Sequence, residues 1–184
     1  MHMKRWLGAG VMTLLLAGGA QAAGFEARAA VPAPELKAND LKGAPKTLAD
    51  YRGKVVLLNF WASWCPPCLR EMPSMERLRV KMAGRPLAIV ALDSAETVDE
   101  VNAFLSKMKL GFPILLDPDG SNTKRWKVFA LPTTFLLDAR GRVRYVLTGP
   151  TEWDEGEALA MIESLLAETS APAKRVESRR LTPQ

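Results

Sequence analysis

The chain has 184 residues, 48% hydrophobic and 24% charged, a composition of single-domain globular proteins that excludes a disulfide-stapled miniprotein, a fibrous chain and a low-complexity one. Its net charge of +5 comes from the two ends, because residues 23–172 hold 19 basic and 19 acidic groups, and a balanced body of this kind excludes a nucleic-acid-binding stripe. The lone histidine, His2, lies in the segment read below as removed, so Ser-His-Asp triads, Cys-His nucleophiles and histidine-ligated metals are excluded from the mature chain.

Lys4 and Arg5, an apolar run richest at Val11–Leu16 and a closing Ala20-Gln21-Ala22 have the three-part pattern of a secretory signal peptide over residues 1–22. The run is too short and glycine-rich for a comfortable membrane span. Export to an oxidising compartment, the periplasm, is therefore expected, with the domain held at the membrane only if the signal is not cleaved. Residues 23–33, rich in Ala and Pro, read as a flexible leader. Pro34 to Thr47, with a turn at Lys42-Gly43, reads as a short N-terminal β-hairpin, followed by one helical turn at Leu48–Tyr51.

Val55 to Trp61 is a nearly continuous β-branched and aromatic run, the pattern of a strand buried on both faces. A helix is expected over Leu69–Met82, its Leu69, Met72, Met75, Leu78 and Met82 recurring at three and four, with a kink at Pro73. That spacing marks the methionines as core rather than a copper site. A buried strand at Leu87–Leu92, a helix over Val98–Lys109, a strand at Phe112–Leu116 and a hairpin of Thr133–Leu137 with Arg142–Leu147 follow. A last helix runs from about Glu152 to Glu168. The whole reads as one α/β domain over residues 34–168, a mixed central sheet flanked by helices with an N-terminal β-hairpin extension, and residues 169–184 as a disordered basic tail.

The only cysteines, Cys65 and Cys68, fall where the first buried strand hands over to a helix. Free amides and the helix dipole at that end lower a thiol pKa, which makes Cys65 the expected attacking sulfur and Cys68, one turn further in, the resolving one. Pro66 and Pro67 lack N–H groups, which removes donors to a Cys65 thiolate and favours a reducing couple over an oxidant. Three other readings compete: an inert structural staple, a metal site on the two thiolates, copper above all, and a peroxidase, which the C-x-x-C spacing disfavours. Trp61 is expected in the core, and Trp64 on the rim of a partner groove.

Asn59 to Cys68, followed by Arg70-Glu71-Met72-Pro73, resembles the active-site segment of thioredoxin-like proteins, most closely the exported TlpA/ResA branch. Leu131-Pro132-Thr133-Thr134-Phe135 resembles the loop that sets a cis-proline against the C-x-x-C of that fold. The resemblance implies a thioredoxin-like fold and a periplasmic thiol-disulfide oxidoreductase that reduces disulfides of partner proteins without a cofactor, with apocytochrome c cysteines among the candidate substrates. It also implies re-reduction by a membrane electron-donor protein, and a substrate groove of Trp64, Pro66, Pro67, Leu131 and Pro132. Cytosolic thioredoxins usually carry an aspartate where this chain has Asn59. The exported branch places a glutamate after the second strand, and Glu96 fits it, although Ala95 stands where glycine is often found. Glu96 is accordingly expected to take the proton of Cys68 during exchange; the competing reading is a surface carboxylate beside a helix N-terminus.

Overall fold

A computed structural model describes residues 24–170. Eight strands form one mixed sheet in the order β1-β8-β7-β4-β5-β6-β2-β3. They are β1 (Glu26–Pro32), β2 (Lys37–Asp40), β3 (Pro45–Thr47), β4 (Val55–Trp61), β5 (Leu87–Ser94), β6 (Ile114–Asp117), β7 (Thr133–Leu137) and β8 (Arg142–Thr148). The helices are α1 (Pro66–Lys81), α2 (Val98–Leu105), α3 (Ser121–Arg125) and α4 (Gly156–Ser170), with a 3-10 turn at Leu48–Tyr51. Strands β4, β5 and β6 are parallel, as expected of strands joined through α1 and α2, and every other pairing is antiparallel. This is a thioredoxin-like arrangement, and the β2–β3 hairpin extends the sheet beyond β6 through pairs such as Asn39 with Leu116.

Strand β4 is buried along its whole length because it is covered on both faces. Val55, Leu57 and Trp61 look into a core built with Met72, Met75 and Leu78 of α1 and Ile162 and Leu165 of α4. Val56, Leu58 and Phe60 look into a second core with Trp126 and Phe135, whose rings stand 4.9 Å apart edge to face. The period-2 alternation puts Asn59 on the α1 face, the one polar step in an otherwise apolar strand. Trp61 and the α1 methionines are core residues, as their spacing indicates.

Several boundaries differ from expectation. Residues 26–32, read as a flexible leader, form β1 on the free edge of β8, with Ala27 opposite Tyr145 and Val31 opposite Val143. The strand is almost wholly exposed, so it has no apolar alternation from which it could be recognised; backbone pairing with β8 makes it. Helix α2 stops at Leu105, four residues before Lys109, and the strand expected from Phe112 starts at Ile114 because Pro113 has no N–H for the ladder. Helix α1 begins at Pro66 rather than Leu69 and runs through Pro73. Helix α4 starts at Gly156 rather than Glu152, since Trp153 is drawn inward to Ser74 and Glu71, and it reaches Ser170, two residues into the segment read as a tail. Helix α3 was not expected; it forms where the Asp117 carboxylate accepts the backbone N–H groups of Asn122 and Thr123. The expected signal peptide (1–22) and the tail beyond Ser170 lie outside the described residues.

Candidate active site

At the end of β4 the chain turns through Ala62–Cys65, closed by the Cys65 N–H donating to the Ala62 carbonyl at 3.2 Å, and enters α1 with Cys65 as N-cap. Pro66 and Pro67 take the first two helical positions, where missing N–H groups cost no intrahelical bond. Cys65 and Cys68 are joined in a disulfide, Cys65 almost buried and Cys68 fully so. Beside them Trp64 is 67% exposed. Pro66 is exposed, Pro67 and Leu131 are half-buried, and Pro132 is buried.

The Leu131–Pro132 peptide is cis. Thr133 lies opposite Phe60 in the β4–β7 ladder, so Pro132 comes level with Trp61, at the end of β4 from which the disulfide turn departs. Phe129, three residues before Pro132, is 93% exposed.

Three buried carboxyl groups, Glu71, Glu96 and Asp93, stand behind this surface. Glu71, one helical turn after Cys68 and on the same face of α1, accepts from Asn59 Nδ2 at 2.7 Å, Trp153 Nε1 at 3.2 Å and the Thr151 N–H at 3.3 Å. Burial pushes its pKa up and the three donors pull it back, leaving it at about 7. Asn59 Nδ2 also donates to Thr134 Oγ1 at 2.8 Å, tying α1, β4 and β7 together. The sequence shows Glu71 within its motif but not this role, because its partners lie as far as 82 residues away.

Glu96 is also buried, which disposes of the surface-carboxylate reading. Its two oxygens accept from the backbone N–H and the hydroxyl of Ser63, each at 2.5 Å, so the structure brings Glu96 to the turn that carries Cys65. Asp93, fully buried at the end of β5 and unmarked in the sequence, accepts the Glu96 N–H at 3.2 Å. Burial first, then the neighbouring Glu96 carboxyl, push its pKa up to about 8.

A family model described as the AhpC/TSA family matches residues 29–146. A Thiol-disulfide oxidoreductase ResA of Geobacillus kaustophilus is 42% identical over 117 residues, 64% of this chain and 67% of that relative. A Thioredoxin-like protein YneN of Bacillus subtilis is 43% identical over 120 residues, 64% of this chain and 69% of that protein. Among solved structures, a putative thiol:disulfide interchange protein DsbE from Chlorobium tepidum superposes with a TM-score of 0.69 at 30% identity, covering 77% of this chain and 99% of that one.

Proposed function

The chain belongs to the AhpC/TSA family and, within it, is a thioredoxin-like thiol-disulfide oxidoreductase of ResA/DsbE type acting on disulfide-bearing proteins, and from that premise we propose that it works as a periplasmic reductant of partner disulfides. The observation that carries this reading is the Cys65–Cys68 disulfide at the proline-started N-terminus of α1, level with the cis-proline loop. In the dithiol form, the Cys65 thiolate attacks one sulfur of a partner disulfide, forms a mixed disulfide and expels the partner's other sulfur as thiolate. Cys68 then loses its proton and attacks Cys65 Sγ. The partner leaves with both sulfurs reduced, and its two electrons have come from the Cys65–Cys68 pair, now a disulfide.

The proton of Cys68 needs a nearby base whose pKa lies close to the working pH. Glu71 stands one turn away on the same helix face and sits at about 7. Glu96, held on Ser63, is the second carboxylate of the site, and its proposed part is to take that proton from the β5 side. Trp64, Pro66, Pro67, Leu131 and Pro132 form the proposed groove for the partner chain, with backbone groups beside Pro132 pairing to it. Trp64→Ala is expected to raise KM for a protein substrate about tenfold, the order set by losing one exposed aromatic anchor, and to leave the reduction potential unchanged. A shifted potential would place Trp64 in the thiol chemistry instead.

The periplasmic reading rests on the signal-like residues 1–22. In an oxidising compartment a spent reductant must be recharged, which calls for an electron-delivering membrane protein. Apocytochrome cysteine pairs awaiting haem attachment are partner disulfides of the class this chemistry serves. The deciding experiment is titration of the Cys65–Cys68 couple against glutathione or dithiothreitol. With two prolines removing N–H donors from the first turn of α1, a value near the ~−270 mV of thioredoxin is expected; one near the ~−120 mV of DsbA would make the chain an oxidant and overturn the reading.

A further inference from the structure

Asp93 has no part in the exchange just described, yet it is an acid buried completely beside another acid. Its Oδ1 accepts the Glu96 N–H, while Oδ2 meets no N–H or O–H donor among the described residues. The side chain within its hydrogen-bonding reach is the Glu96 carboxyl. Two carboxylates in that position would repel, so the contact is favourable only when one of the pair carries a proton. Glu96 spends both oxygens on Ser63, as an ionised carboxylate does. The proton therefore belongs on Asp93, on the side that faces the Glu96 carboxyl.

The surroundings hold it there. The other charge acting on Asp93 is again an acid, Glu100 in the first turn of α2. Strand β4 brings Trp61 alongside Asp93, and β6 brings Leu116, neither of which titrates in this range. The chain also bears strain to join the pair, since Ala95 between them takes φ 66°, the left-handed region that a residue with a Cβ rarely adopts.

We propose that Asp93 and Glu96 share one proton and together act as a proton-operated clamp on the Ala62–Cys65 turn, with Asp93 as the positioning residue. With Asp93 protonated, Glu96 is held on the Ser63 N–H and hydroxyl and the turn is braced. When Asp93 ionises, the two anions separate, Glu96 leaves Ser63, and the turn that presents Cys65 is released. The inference rests on the reading of Cys65 as the attacking sulfur.

The oxidised protein isolates the effect, because disulfide sulfurs do not titrate. Between pH 6 and pH 9.5, carbon NMR of the Asp93 side-chain carboxyl and the Ser63 amide shift are expected to move together with a midpoint at about 8. D93N, locked in the neutral form, is expected to abolish the Ser63 transition. An Asp93 carboxyl already ionised at pH 6, or a Ser63 transition that persists unchanged in D93N, would overturn the clamp. If D93N does not fold, the carboxyl titration of the unsubstituted protein decides alone. For the reduced protein, the ratio of exchange rates of the unsubstituted chain and D93N toward a small aromatic disulfide is expected to fall about threefold or more from pH 7 to pH 9, a free-energy change of ~0.7 kcal/mol. A constant ratio would overturn the clamp. A Ser63 transition in a protein with no exchange at all would support the clamp and sink the redox reading on its own.

Discussion

Cys65→Ala is expected to lower disulfide exchange about a thousandfold or more, to the background of the reagents, because the nucleophile cannot be replaced by a neighbouring group. The chain has one other cysteine, Cys68, which is fully buried, whereas Cys65 lies at the outer end of the helix next to the exposed Trp64. Cys68→Ala should give the complementary outcome. Cys65 still attacks, nothing resolves the intermediate, and a covalent complex with the partner accumulates. Mass spectrometry of non-reduced samples after mixing with a disulfide-bearing protein reads both results. Trapping by Cys65→Ala and none by Cys68→Ala would reverse the two roles.

The second large effect is on stability against pH. Glu71 has a folded pKa of about 7, above the ~4.3 of an unfolded glutamate, so between those values the native state holds a proton that the unfolded chain has released. Stability must therefore fall as pH rises from about 4 to 7. One group raised this far accounts for about 4 kcal/mol at 1.36 kcal/mol per pH unit. Asp93, raised for the same reason, extends the decline to about pH 8. Opposing them are carboxylates held low by their partners: Glu76 by Arg79, Asp154 by Arg77 and Glu168 by Arg144. Their contribution is present above the unfolded carboxylate range and is lost as pH falls through their depressed values. The two trends meet in the unfolded carboxylate range and place the stability maximum at about pH 4. Denaturant midpoints of the oxidised protein at pH 5.5 and pH 8.5 check it, and equal midpoints would refute the assignment. Glu71→Gln, which cannot ionise, should flatten the slope between pH 5.5 and pH 7. Glu71→Ala leaves three buried donors on Asn59, Trp153 and Thr151 without their acceptor and is expected to cost about 2–4 kcal/mol.

What a linear reading of this chain can reach is what repeats or clusters within a few residues. The apolar run of β4, the recurrence of Met72, Met75 and Leu78 at every third residue, the hairpin of β7 and β8 and the Cys65–Cys68 pair at a strand-to-helix step are all local patterns, and each stands where its pattern put it. The Leu131–Pro132 motif is legible for the same reason, as a short string of residues with a known partner motif. Local patterning failed at β1, whose residues carry no apolar face, and at the start of α4, where Trp153 is drawn inward by side chains on α1.

Periodicity says which face of an element is apolar but not which distant group will meet a polar residue on that face. Asn59 is one polar residue in a hydrophobic strand until α1, β7 and the Thr151–Trp153 segment converge on it and Glu71. Glu96 is a helix-flanking acid until the β5–α2 turn folds it under Ser63, and Asp93 is an ordinary strand-end residue until that same turn encloses it. The sulfur chemistry is written in four consecutive residues because a helix N-terminus is a local object. The proton chemistry around it was decided by packing, since a carboxyl group acquires a raised pKa only where distant elements close over it and shut out water.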